Sequence, residues 1–214
     1  MTKISGVLIT FNEEKNMEEC LSGLNFCDEI IVVDSESVDR TAEIARKMGA
    51  RVYTHAFSNF SDQKNYGIGQ AIGEWVFLID ADERVSGALG EEIKRTVSDA
   101  KFEAYEVLRR NRIFGRWMAH GINSGDFQLR LVKKNKAVFQ GLVHERISLD
   151  EKVGKLKNRL LHHSTPSIAS YMNKLNVYTE LEVQILKSRN EKPSIHQLKW
   201  RPLMVFIRTA FIKR

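Results

Sequence analysis

WVFLIDADERV, residues 75–85, is the stretch whose reading decides the fold. Trp75 to Ile79 is a continuous apolar run of the length and composition of a strand buried on both faces. It leads into Asp80, Ala81, Asp82 and Glu83, three acids in four positions. A core strand has no use for that much negative charge, because close carboxylates repel and burial penalises each of them. If the chain stays extended, alternation sends the side chains of Asp80 and Asp82 to the same side. Hard divalent cations such as magnesium or manganese take oxygen ligands of this kind and often share them with a diphosphate. The alternative is a solvated acidic loop with Asp82 as a helix cap.

The residues on either side favour the first reading. Ile4 to Thr10 and Glu29 to Asp34 are two more strands of the buried type, and Arg51 to His55 is a shorter third. Between them lie helical patterns. Glu13 to Leu24 carries Met17, Cys20, Leu21 and Leu24 on one stripe, with Asn12 placed as its N-cap. Arg40 to Met48 is capped by Ser37 or Asp39 and ended by Gly49, and Ser61 to Ile72 is stopped by Gly73. Apolar strands separated by amphipathic helices predict an α/β fold, a parallel sheet covered on both faces. In such open sheets ligands bind beyond the carboxyl ends of the strands. Thr10-Phe11-Asn12-Glu13, Asp34-Ser35-Glu36-Ser37 and Asp80-Ala81-Asp82 therefore converge on one edge. After Ala104 the pattern changes to short strand pieces, at 105–109, 127–132, 138–139 and 146–149, which predict mixed or antiparallel strands completing the sheet. Ser167 to Leu186 reads as a long helix.

The bulk numbers narrow the partners. The chain has 214 residues, 43% of them hydrophobic, and a net charge of +6. That is enough chain for one large domain with its own core. The positive charge permits an anionic membrane surface, a phosphorylated substrate or nucleic acid. Zinc-finger spacing, a basic zipper and aromatic RNA-binding motifs are all missing, so nucleic acid is not expected. No signal-peptide pattern opens the chain and no stretch is apolar over the ~20 residues a bilayer requires. Cys20 and Cys27 read as buried thiols.

Two enzyme classes place an acid pair after an apolar strand. In haloacid-dehalogenase-like phosphatases the first Asp of Asp-x-Asp-x-Thr/Val is a nucleophile. Here Arg84 stands where the Thr or Val belongs, and the motif follows the fourth strand instead of the first. The ordered set Val7 to Glu14, Ile31 to Ser35, Asp39-Arg40-Thr41, Gln63-Lys64-Asn65-Tyr66-Gly67 and Leu78 to Glu83 resembles instead the inverting family-two glycosyltransferases of the GT-A fold. Phe127 to Leu131, Gly141 to Glu145 and His162-His163-Ser164 narrow the resemblance to bacterial lipopolysaccharide inner-core glucosyltransferases that add a β-1,4-glucose to heptose. It covers roughly Lys3 to Tyr178.

This resemblance implies a Rossmann-like nucleotide-diphospho-sugar transferase domain over residues 1–165. Its nucleotide half runs to about residue 100 and its acceptor half fills 101–165, followed by a helical extension at 166–214 that contacts the membrane. Thr10, Phe11, Asn12 and Glu13 would line the nucleobase and ribose, and Asp34 would accept a hydrogen bond from uracil. Lys64 would lie by the pyrophosphate, unless it is merely an exposed helix cation. Asp80 would face the ribose or a metal-bound water, Ala81 would lie by the nucleotide sugar, and Asp82 would bind the divalent metal that bridges the diphosphate. His162 would complete the metal's coordination, or else be a helix-entry histidine bonded to backbone. Glu145 would be the catalytic base, with Asp126 as fallback, or a surface Glu paired with Arg146. Gln128 and Arg130 match only part of the Gln-x-x-Arg-Trp signature of processive synthases, which implies single-sugar addition. Glu36 departs from the glycine that relatives often have after Asp34-Ser35.

The expected activity is metal-dependent transfer of a hexose from a UDP-sugar to a cell-envelope glycan, at the cytoplasmic face of the inner membrane. The donor, a lipid-linked or lipopolysaccharide-type acceptor and a membrane surface are the expected partners, and an oligomer is open. Residues 200–214 suit an amphipathic helix lying on anionic lipid, or a helix packed on the domain or on a second copy. The competing non-enzymatic reading is a silent GT-A-like scaffold at the membrane.

Overall fold

The computed structural model describes residues 2–118, 126–141, 146–147, 152–165, 167–188 and 194–207. Chain order gives β1 (Ile4–Thr10), α1 (Glu14–Ser22), β2 (Glu29–Asp34), α2 (Thr41–Lys47), β3 (Arg51–Thr54), α3 (Phe60–Gln70), β4 (Trp75–Asp80), β5 (Glu83–Arg84) and α4 (Gly87–Ser98). The second half supplies β6 (Ala104–Ile113), β7 (Arg116–Trp117), β8 (Phe127–Lys133), β9 (Phe139–Gln140), β10 (Arg146–Ile147), β11 (Gly154–Lys155), β12 (Leu160–Thr165), α5 (Ile168–Ser188) and α6 (Ile195–Ile207).

The sheet runs β3-β2-β1-β4-β8-β6-β12-β5. Its first four strands are parallel, with Val7 opposite both Ile31 and Leu78. Beyond β4 the direction reverses. Phe77 faces Leu131 of antiparallel β8, and Leu131 in turn faces Tyr105 of antiparallel β6. This is the α/β class with the mixed sheet that the sequence predicts.

Alternation along the central strands divides the core. Leu8, Val32, Phe77 and Ile79 pack on one face with Met17 and Leu21 of α1, Leu24 just after it, and Leu89 and Ile93 of α4. Val7, Ile31, Val33, Val76 and Leu78 pack on the other with Ile68 of α3. Each such side chain, fully buried, contributes roughly 1.5–3 kcal/mol, which offsets the entropy of ordering the strand. Gly67 lets α3 lie against the sheet. A Cβ there would stand 2.7 Å from Val7 Cγ1 and 2.9 Å from Val33 Cγ2.

Several local expectations shift. Asn12 does not cap α1; the cap position falls to Glu13, and the Asn12 side chain accepts from Val38 N instead. The α3 helix starts earlier, capped by Asn59, whose side chain accepts from Asp62 N. It also ends earlier, where Ala71 turns extended. The amphipathic α4, with Ser86 as its N-cap, occupies a stretch that the sequence reading left without an element. Cys20 and Cys27 are free thiols. Burial pushes the Cys20 thiol up to about 12 and that of Cys27 higher still, so neither is a ready nucleophile.

Contacts divide the chain into two units. One comprises 1–109 and 127–162, and the other 110–126 and 163–214. Among the described residues, no helix is long and apolar enough to cross a membrane.

Candidate active site

The carboxyl ends of β1, β2 and β4 lie side by side, as the parallel register requires. Asp34 closes β2, is 3% exposed, and is held from several directions. Thr10 Oγ1 donates to it at 3.2 Å, Ser37 N at 2.9 Å and Ser37 Oγ at 2.6 Å. Ser37 Oγ also accepts from Asn12 N, and Glu13 N donates to Thr41 Oγ1, so the β1 and β2 loops are tied together. Phe11 remains exposed. Each of the two loops carries one left-handed residue, Asn12 at φ 53° after β1 and Glu36 at φ 60° after β2. Glu36 thus adopts a backbone conformation that a glycine would favour.

The Gln63-Lys64-Asn65-Tyr66-Gly67 motif has a distinct job at each position. Gln63 donates to His55 O and Ala56 O beyond the end of β3. Asn65 brackets Phe139 in β9, donating to its carbonyl and accepting from its N–H. Tyr66 stacks on His55 with centroids 4.1 Å apart. Lys64 is buried, its Nζ 5.1 Å from the centre of the Phe139 ring, and it is no exposed helix cation.

The three acids after β4 have three different roles. Glu83 is wholly buried and folds back to accept from Asp80 N. One nitrogen of Arg130, on β8, donates to Asp80 Oδ2 at 2.5 Å and to Glu83 Oε1 at 2.6 Å. Arg109 reaches Glu83 Oε1 at 3.4 Å. Burial alone would push both carboxyls up. At Asp80 the cations Arg130 and Lys64 outweigh it and hold the group well below the usual carboxylate range. At Glu83 burial wins over Arg130, and its carboxyl is raised. Burial would likewise lower the Arg130 guanidinium, but Asp80 and Glu83 hold it above its ordinary value.

Asp82 is the acid that turns elsewhere. The β5 strand pairs antiparallel with β12, placing His162 opposite Glu83. That register brings His162 Nε2 to 3.3 Å from Asp82 Oδ2, both side chains largely buried. A carboxylate oxygen and an imidazole nitrogen so close, just beyond the end of β4, form a donor set that suits manganese or magnesium. Such ions commonly take one or two protein ligands and fill the remaining positions with phosphate oxygens and water. Among the described residues no cluster of three or more such side chains forms.

Sequence reasoning missed the clamp. Arg130 and Glu83 fix Asp80, and Ser37 fixes Asp34, yet none of the three stood among the expected site residues. An arginine inside the apolar strand FQLRLVK was the available signal, because a buried guanidinium requires buried acids. Glu145 lies outside the described residues. The fallback base Asp126 accepts from Asn111 Nδ2 at 3.1 Å.

An α/β sheet whose parallel central strands end side by side in polar residues is the architecture of the GT-A fold. The profile of Glycosyl transferase family 2 matches residues 5–142, and the chain belongs to that family. It is 29% identical over its whole length to an uncharacterized glycosyltransferase of Rickettsia typhi, covering 78% of that protein. It is 27% identical to the lipopolysaccharide core biosynthesis glycosyltransferase LpsC of Rhizobium meliloti, over 97% of this chain and 80% of that one. Glucosyl-3-phosphoglycerate synthase from Mycobacterium tuberculosis, solved with Mn2+, uridine diphosphate and glucosyl-3-phosphoglycerate, shares the fold. Its TM-score is 0.62 at 16% identity, over 90% of this chain and 82% of that one.

Proposed function

We propose that this glycosyltransferase moves a hexose from a UDP-sugar to a hydroxyl of a lipopolysaccharide-type core glycan, with inversion and with a divalent metal. One observation carries the reading: the carboxyl ends of β1, β2 and β4 share one edge of the sheet, with Asp80 clamped by Arg130 and near the Lys64 cation, Asp82 beside His162, and Asp34 closing β2. The similarity to LpsC supports the acceptor class.

Each group then has a task. Thr10 to Glu13 line the nucleoside, and Asp34, locked by Thr10 and Ser37, keeps lone pairs for the uracil N–H. Lys64 offsets diphosphate charge, and Asp80 and Ala81 face the ribose and sugar. Asp82 and His162 would hold the metal, which acts as a Lewis acid and neutralises charge on the departing diphosphate. Glu145 takes the proton of the acceptor hydroxyl as its oxygen bonds to the anomeric carbon. The bond from that carbon to the diphosphate oxygen breaks at the same time, and UDP carries away the electron pair. One carboxylate suffices, since no covalent sugar intermediate has to form and break. Residues 1–165 act as the catalytic domain, and 166–214 keep the enzyme peripheral at the cytoplasmic face of the inner membrane.

The test is UDP release with a panel of UDP-hexoses and core-truncated lipopolysaccharide, with product anomericity read by NMR. The reading predicts a β-linked product from an α-linked donor. It also predicts that Glu145→Gln binds UDP normally yet turns over at least ~100-fold more slowly. UDP binding without turnover on any acceptor would point to the silent scaffold instead.

A further inference from the structure

We propose that the β6–β7 hairpin is an anionic-lipid-binding element whose tip, Phe114, enters the membrane interface. The inference deepens the membrane placement proposed above by assigning it to a second segment, distinct from the C-terminal tail.

The hairpin is built unusually. Arg112 pairs with Trp117 and Ile113 with Arg116, leaving Phe114 and Gly115 as a two-residue loop. Both have positive φ, 49° and 77°. Two-residue turns of this kind strongly favour Asn-Gly or Asp-Gly, whereas a bulky side chain at positive φ is a rare outlier. Phe114 nevertheless occupies the position and presents its ring outward, 48% exposed. A strained backbone that displays an aromatic ring to solvent does nothing for the core.

Charge surrounds the ring. Alternation and cross-strand pairing put Arg110, Arg112 and Trp117 on one face of the hairpin. The Arg110 guanidinium lies 5.0 Å from the centre of the Trp117 ring and that of Arg112 lies 5.8 Å from it. His163 meets the same ring edge-on at 5.6 Å. Arg116 flanks the tip, and residues 109–118 contain four arginines and no acid. Phe114 also meets Tyr171 of α5 edge-on at 6.2 Å. From there an exposed stripe of Ile168, Tyr171, Met172 and Leu175 continues at helical spacing. An apolar patch rimmed by arginines, with Trp and Tyr at its margin, matches a bilayer interface carrying anionic headgroups. A second copy of this chain fits less well, since a two-fold contact through the patch would set arginines against arginines.

The test is sedimentation of the full chain with vesicles of one third phosphatidylglycerol in phosphatidylcholine, against pure phosphatidylcholine. Wild type should pellet with the anionic vesicles and remain in solution with the neutral ones. The combined variant Arg110→Gln, Arg112→Gln, Arg116→Gln should bind on the order of 100-fold more weakly, since each arginine near the surface is worth about fivefold. Phe114→Asn, which suits the turn, should lose roughly tenfold in binding while its melting temperature holds or rises. UDP binding should be unchanged in both, which separates a failed hairpin from a failed nucleotide site. Undiminished vesicle binding in both variants would overturn the proposal and leave the tail as the anchor. A Phe114-dependent dimer in place of vesicle binding would overturn it in favour of a second copy.

Discussion

The carboxyl edge of the parallel strands and the arginine hairpin are both rich in charge, and they handle it in opposite ways. At the edge, charges are buried and paired: Arg130 with Asp80 and Glu83, Asp82 with His162, Asp34 with Ser37. On the hairpin, Arg110, Arg112 and Arg116 are exposed around exposed aromatic rings. The first arrangement suits a small ligand that must be held in one geometry, because the orienting bonds are made before it arrives. The second suits a large, fluid partner that needs no fixed geometry. Substitutions should therefore cost stability at the edge and leave it intact on the hairpin.

The clamp offers the strongest way to break that contrast. Arg130→Met leaves Asp80 and Glu83 buried without their main cation, and should cost ~3–5 kcal/mol in chemical denaturation. The sign of its pH dependence follows. In the wild type the depressed Asp80 carboxyl adds stability above its unfolded pKa, and that gain fades as pH falls towards its folded value. In Arg130→Met the Asp80 carboxyl loses the stronger of its neighbouring cations while Glu83 stays raised, so the variant should gain less stability than the wild type as pH rises from acid towards neutral. A variant equally unstable at every pH would show that lost packing, not lost charge, is at fault.

Smaller effects sharpen the comparison. Gly67→Ala forces a methyl into Val7 and Val33, and should destabilise by ~1–3 kcal/mol in thermal melts. Ser37→Ala removes one oxygen that both donates to Asp34 and accepts from Asn12 N. It should cost ~1–2 kcal/mol and weaken UDP binding several-fold. At the low end, Glu36→Gly relieves a left-handed residue and should leave stability unchanged or raise it by up to ~1 kcal/mol.

The central strands, the helices α1 to α3 and the edge where the polar strand ends meet were legible, because hydrophobic periodicity and strand-end polarity are local properties. Glu83 was not, because its partner is 47 residues away on an antiparallel strand. The pairing of β5 with β12 was equally hidden. That pairing brings His162 to Asp82, whereas in the sequence only the family resemblance pointed to their meeting. Lys64 was ambiguous for another reason: a helix cation looks the same in sequence whether it faces water or a Phe139 ring. In the hairpin, the Phe-Gly pair gave no turn signal of the usual Asn-Gly kind, and the arginines read only as a cluster.

The central claim is that the acidic end of β4 holds a divalent cation against a diphosphate. Calorimetric titration of UDP, with and without manganese, on wild type and Asp82→Asn tests it most directly. The account predicts that manganese tightens UDP binding and that the variant loses at least ~10-fold of that gain while remaining folded at the temperature of the titration. UDP binding that ignores both manganese and the Asp82 substitution would contradict it.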